Sequence, residues 1–295
     1  MLIRWSRFAS NLSRNELRRR QGCDVVSGND VFMATRYNWY SKVSAAKVSP
    51  TSLRNSPDIG NPEKSLVNLD KLFWSKPSSL ALPSDSPLRI EERQHTGIQR
   101  LIFKLMLYYS KESTFIRGAN VVYKRIISQV DKPAIYEVFN LEQTFKMTFS
   151  LLVLHTWLCL RRLKQEGKEG TEFGQYLYEI YNHDVEMRVS KAGVNLLLSK
   201  WMKELEKIFY GNVVAYDTAL LPEVKEDDLQ SVIWRNIFSD DGKSDPDPTA
   251  RKAVQAMARY VRREIACLSL TDKEVMFSGN FMFTSLKNNS GNSYK

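Results

Sequence analysis

His155 and Cys159 stand four residues apart in LLVLHTWLCL, so on a helix an imidazole and a thiol leave the same face one turn apart. Both are metal ligands, but zinc takes four protein ligands, or three and a water. The nearest further donors are His183, Asp184 and Glu186 in NHDVEMR, and they complete a set only if two helices cross there. The same residues can be read as an acid–base arrangement, His183 with Asp184 and Glu186 with Arg188. A reaction would also need a nucleophile or an oriented partner in a pocket, and no Ser, Cys or Lys motif accompanies them. The plainer reading makes His155 a hydrogen-bonded core histidine and Asp184–Arg188 an i,i+4 ion pair. We expect no catalytic residue and no cofactor, and keep a metal-dependent helical enzyme using His155, Cys159 and His183 as an alternative.

Binding is the other chemistry on offer. Arg161, Arg162, Lys164 and Lys168 follow the apolar run directly. Cations are favoured at a helix C-terminus, and the same cluster suits an acidic partner, RNA or lipid phosphate. An RNA- or ribosome-binding helical module acting through Arg161–Lys168 is therefore a second alternative. Trp157, Trp234 and Arg235 are residue types favoured at protein interfaces, although Trp among Leu and Ile is equally at home in a core. Met147, Met187, Trp201 and Met202 extend that choice between an adaptable apolar groove and plain packing.

The elements that must position these side chains are helices. Fourteen residues from Met147 to Leu160 are almost wholly apolar, bounded by Lys146 and by Arg161–Arg162. A membrane span needs about 20 such residues, so this length suits the central helix of a core. A helix apolar all round must be surrounded, and Phe145–Lys164 is read as that helix. Phe173, Tyr176, Leu177, Ile180 and Tyr181 keep the helical period in the next segment, which Gly193 can end. Val194, Leu197, Leu198, Trp201, Leu205, Ile208, Phe209, Val213 and Tyr216 carry the third. Earlier, Ile98, Leu101, Ile102, Leu105, Tyr108 and Tyr109 fit one face, and Val122, Tyr123, Ile126 and Val130 another, as an N-terminal subdomain or a first layer around the central helix. Pro133 suits a first turn, and Asp247–Pro248 is a strong helix start. No alternating strand pattern, repeat or phosphate-binding glycine loop is present.

Four segments carry a family resemblance: LLVLHTWLCLRRLKQEG, HDVEMR, AYD at 215–217 and IWRNIF at 233–238. In this order and spacing, over roughly 133–270, they resemble the ubiquinol–cytochrome c chaperone family, assembly factors for cytochrome b of the mitochondrial bc1 complex. The resemblance implies a chaperone that binds newly made cytochrome b together with a small assembly-factor subunit. It implies a place near the mitochondrial ribosome, on the matrix side of the inner membrane and peripheral to it, with no transmembrane helix. The candidate partner-binding residues are Trp157, Arg161, Arg162, Lys164, His183, Asp184, Arg188, Asp217, Trp234 and Arg235.

Charge distribution fits this picture better than a nucleic-acid-binding body. Residues 1–80 hold 13 Lys/Arg against 6 Asp/Glu, and the remainder 30 against 27. The start, MLIRWSRFASNLSRNELRRRQG, is Arg-rich, Ser-bearing and poor in acids, the composition of a transit peptide. It lacks the apolar h-region of a secretory signal. Three cysteines without a CxxC pair give no disulfide framework. The expected organisation is a mitochondrial transit peptide over 1–40, a flexible Ser/Pro-rich linker over 41–89, a helical chaperone domain over 90–270 and a C-terminal tail over 271–295. Within the linker, LVNLDKLFW (66–74) could form a short docked helix, and the tail could hold one short element in TDKEVMFSGNFMF. The fold class is all-α, a bundle of about seven to nine helices around one buried apolar helix, preceded by a disordered leader.

Overall fold

The structure, a computed structural model, describes residues 69–91, 96–223, 225, 227–239 and 245–286. The expected transit peptide, residues 41–68 of the linker and the polar end NNSGNSYK lie outside the described residues. Among the described residues there are nine α-helices and no strand, only an isolated antiparallel bridge between Ala81 and Phe281.

The helices are α1 (Gly97–Leu105), α2 (Lys111–Val130), α3 (Pro133–Phe139), α4 (Phe145–Lys164), α5 (Gly167–Lys191), α6 (Leu198–Thr218), α7 (Asp227–Ile233), α8 (Pro248–Ser269) and α9 (Lys273–Ser278). A π-helical turn, Trp234–Phe238, continues α7. Their ends follow local chemistry. Ser110 accepts from the Ser113 amide at the start of α2, Thr144 from Met147 at α4, and Asp247 from Ala250 at α8. Pro133 and Pro248 occupy first turns, where a missing N–H removes no helical bond.

α4 is the centre. It is buried along most of its length, from Lys146 through Leu163, and packs against α2, α5, α6 and α8. The expected bounds and the expected burial of this helix are both met. α9 lies across α2, where Gly118 admits the close approach: a Cβ there would run into the Phe277 carbonyl oxygen. No described helix is long and apolar enough to cross a membrane.

Three expectations change. In the segment placed in the linker, Leu69, Leu72 and Phe73 dock on the core as the 66–74 run allowed, and Leu80 beyond it is set against the core as well. The segment assigned to the tail supplies Met276, Phe281 and Phe283 to that core. These two ends of the described chain are bonded to each other. Leu82 N donates to Asn280 O (2.8 Å), Met282 N to Leu80 O (3.1 Å), and Ile90 N to Asn280 Oδ1 (2.8 Å). Arg125 of α2 clamps both, donating from Nη2 to Leu88 O (2.6 Å) and from Nε to Gly279 O (2.9 Å). Third, α1 was read as part of an N-terminal subdomain or a first layer around α4, yet it has no buried residue. Periodicity shows that a helix has an apolar face, and says nothing about what covers it.

Candidate functional site

Three of the candidate residues meet where α4 lies beside the end of α6. Trp157 Nε1 (3.0 Å) and Arg161 Nη1 (2.8 Å) both donate to Asp217 Oδ1. The Trp157 ring packs on Tyr216, with centroids 4.9 Å apart, and the Arg161 guanidinium lies 6.0 Å from the indole centroid. Trp157 is buried, while the Arg161 and Asp217 side chains remain 34% and 24% exposed. A rigid buried indole thus fixes a half-exposed ion pair at the surface, the combination that carries energy at protein interfaces.

The basic cluster expected at 161–168 is divided by the helix. Arg162 lies about 100° round from Arg161 and turns inward. It donates from Nε to Leu268 O (2.9 Å), from Nη2 to Thr271 O (2.9 Å) and from Nη1 to Glu166 Oε1 (2.6 Å). It therefore caps the C-terminus of α8, where orphan carbonyls and the helix dipole favour a cation. Lys164 and Lys168 are exposed. A four-cation patch for RNA is not assembled.

Asp184 and Arg188 form a second group on α5. Asp184 Oδ2 accepts from Arg188 Nε (2.6 Å) and from the Tyr123 hydroxyl (2.8 Å). Arg188 also grips Asp131, at the end of α2, through Nη1 (3.2 Å) and Nη2 (3.1 Å). Burial works against the Arg188 charge, but the hydrogen bonds from Asp131 and Asp184 outweigh it and raise its pKa. Burial, with Asp184 close by, likewise pushes the Tyr123 hydroxyl up. Beside this group a cleft opens, lined by Phe145, Thr148, Phe149, Leu152, Val185 and Arg188. His183 is exposed and takes no part.

Trp234 and Arg235 begin the π-helical turn. Trp234 is half-buried and stacks with Phe238 (6.4 Å), and Arg235 Nε returns to Ser231 O on its own helix (3.3 Å). From the other side, Lys146 Nζ donates to Ser239 O (2.8 Å) and Ser150 Oγ to Asn236 O (3.0 Å). These two polar side chains on an apolar helix are explained by the carbonyls they reach at the end of the turn.

The alternative metal set does not come together. His155 and Cys159 are sealed in the core, His183 is exposed on α5, and among the described residues no three His, Cys, Asp or Glu side chains gather to hold an ion. His155 Nδ1 faces Leu151 O (2.8 Å), so Nδ1 carries the proton, and Nε2 accepts from the Tyr260 hydroxyl (2.9 Å). Tyr260 in turn accepts from Gln129 Nε2 (3.2 Å). Burial holds the imidazole neutral, lowering its pKa to about 4, and raises the Cys159 thiol.

Sequence reading missed Glu264, Gln129 and Arg125, all buried. The pattern that could have found them is position. Glu264 shares the α8 stripe with Met257, Tyr260, Val261 and Leu268, and Arg125 and Gln129 that of Val122 and Ile126 on α2. Burial moves the Glu264 carboxyl up to about 7.

Comparisons with known proteins cover the same elements. The family profile described as Ubiquinol-cytochrome C chaperone matches residues 137–284. The Homo sapiens protein named "Ubiquinol-cytochrome c reductase complex assembly factor 1" is 27% identical over 205 residues, 68% of this chain and 66% of that protein. Its Xenopus laevis namesake is 28% identical over 154 residues, 52% of this chain and 73% of that one. "Protein CBP3, mitochondrial" of Saccharomyces cerevisiae is 27% identical over 153 residues, 50% and 43% of the two chains. A solved structure, "Crystal structure of the Cbp3 homolog from Brucella abortus", shares the fold with a TM-score of 0.52 at 24% identity, covering 62% of this chain and 97% of that one. The profile takes in the central helix, the Trp157–Arg161–Asp217 group, the π-helical turn and the closing C-terminal segment, and the protein belongs to the ubiquinol-cytochrome C chaperone family.

Proposed function

We propose that this chain is a mitochondrial assembly factor for ubiquinol–cytochrome c reductase, holding newly made cytochrome b together with a small partner subunit. It works on the matrix side of the inner membrane and acts by binding, without bond chemistry. Family membership carries the reading, since the profile spans every element that builds the Arg161–Asp217 surface. The names of the human and yeast relatives support the complex and the compartment. Physically, an anchored Arg–Asp pair beside a buried Trp suits a protein partner better than a diffuse cationic patch suits RNA.

The test is purification of the tagged chain from intact mitochondria, with its companions identified by mass spectrometry. Cytochrome b and one small stoichiometric protein are expected. Arg161→Glu should lower recovery of one of them by about tenfold, near 1.4 kcal/mol, with the thermal melt little changed. Swapping the charges, Arg161→Asp with Asp217→Arg, should restore the internal pair and leave recovery poor. Correctly imported protein that brings down neither companion refutes the proposal, and RNA recovered with a steep salt dependence would replace it.

A further inference from the structure

α1 is the one long apolar stripe that the bundle leaves uncovered among the described residues. Ile98, Leu101, Ile102 and Leu105, at i, i+3, i+4 and i+7, continue into Met106, Leu107 and Tyr109, and all are between 43% and 78% exposed. A nine-residue helix with no buried residue is marginal in water. It is nonetheless held in one attitude. Arg117 of α2 donates to Tyr108 O (2.7 Å) and lies over the Tyr108 ring (3.9 Å), and Phe103 packs against that ring (5.0 Å). Phe103 and Tyr108 thus make the inner contact. The stripe of Ile98, Leu101, Ile102 and Leu105 lies elsewhere on the helix and is left facing outward.

Charge identifies the occupant. Arg100 and Lys104, four residues apart, project from the side of the helix opposite the stripe, and both are exposed. From Glu92 to Glu112 the sequence holds Arg93, Arg100, Lys104 and Lys111 and not one acid between them. Lys111, itself exposed, lies on α2 and is engaged with Glu172 (2.9 Å), so Arg100 and Lys104 are the two cations on α1. An apolar stripe under a purely cationic polar face is the pattern of a helix lying in the plane of an anionic membrane surface. The exposed Tyr109 follows at its end, a residue type enriched at the headgroup level.

We propose that α1 and the turn after it, residues 97–109, form a membrane-surface anchor that binds anionic phospholipid. The apolar stripe enters the headgroup–acyl boundary, while Arg100 and Lys104 reach lipid phosphates. This deepens the proposed function by naming the element and the lipid class through which the chaperone meets the membrane. Its deciding readout is vesicle binding by the isolated chain, so either proposal can fail without the other.

The experiment is hydrogen–deuterium exchange of the full chain with vesicles of phosphatidylcholine alone and of phosphatidylcholine mixed with phosphatidylglycerol, alongside sedimentation. Anionic vesicles should slow exchange within 97–109, neutral vesicles should do so weakly, and salt should partly reverse it. Leu101→Glu with Leu105→Glu should abolish the protection and lower the bound fraction by about tenfold, with an unchanged melt because both side chains are already exposed. Arg100→Glu with Lys104→Glu should remove the preference for anionic lipid. Sedimentation with vesicles but no slowing within 97–109 assigns the binding to another segment and overturns the proposal. So does a Leu101→Glu/Leu105→Glu variant that protects like the wild type. If that variant still binds vesicles but loses cytochrome b in mitochondria, the stripe is a protein-docking face and the lipid assignment fails.

Discussion

Glu264 and His155 sit within the same buried polar group and pull stability in opposite directions as pH changes. Glu264 Oε2 accepts from Thr284 N (3.3 Å); Oε1 takes no hydrogen bond, and its nearest cation, Arg263 Nη1, is 3.7 Å away. The folded carboxyl keeps its proton to about pH 7 against an ordinary 4.5, so its contribution is intact below 4.5 and lost as pH rises through 7. His155 stays neutral in the fold down to about 4 against an ordinary 6.5, so its contribution is intact above 6.5 and lost as pH falls through 4. Between those limits the two slopes oppose. Glu264→Gln removes one of them, and the variant should gain stability relative to wild type with rising pH, reaching about 3 kcal/mol near pH 8. Denaturant melts across this range check it; a difference independent of pH contradicts the assignment. Arg161 and Arg162 offer a second contrast. Arg162→Ala strands the carbonyls of Leu268 and Thr271 and should cost about 2–4 kcal/mol. Arg161→Ala breaks a half-exposed pair and should cost about 1 kcal/mol or less. Melts in which the two variants lose equal stability would overturn this division. Both arginines stood in the sequence as one cluster. Their opposite fates were not legible, because the rotation of α4 is set by what packs around it.

Helix bounds were more legible than helix surroundings. The apolar run between Lys146 and Arg161 located α4, and Asp247–Pro248 located the start of α8, because caps and flanking charges are local. The stripe on α1 was equally plain, but it points away from the core. The π-helical turn at Trp234–Phe238 was not foreseen, since its stability is supplied by another helix. Lys146 and Ser150 of α4 reach its carbonyls, at Ser239 and Asn236. Lys146→Met with Ser150→Ala keeps the bulk of α4 and removes both donors. It should destabilise the protein by about 2–4 kcal/mol and speed amide exchange first in 234–239. Unchanged exchange there would mean that α7 holds the turn unaided.

The molecule closes on itself at residues 80–90 and 279–283. A chain ending at Leu270 would lose Met276, Phe281 and Phe283 from the core. At about 1.5–3 kcal/mol each, that is comparable with the whole 5–15 kcal/mol typical of a domain. Such a chain should show no cooperative melt, whereas one ending at Leu286 should melt like the full protein; two similar melts would show the closure to be ornamental. Sequence suggested one short element in TDKEVMFSGNFMF and not its place in the core, because only the tertiary fold brings Ala81 to Phe281. That closure also has a meaning in time. The bond between Ile90 and Asn280 joins residues 190 apart in sequence. Contacts of such separation are the slow ones to form, and a chain emerging from synthesis N-terminus first cannot make this one until Asn280 is free. Until then the body lacks its latch, and the core is completed only when the two distant segments meet.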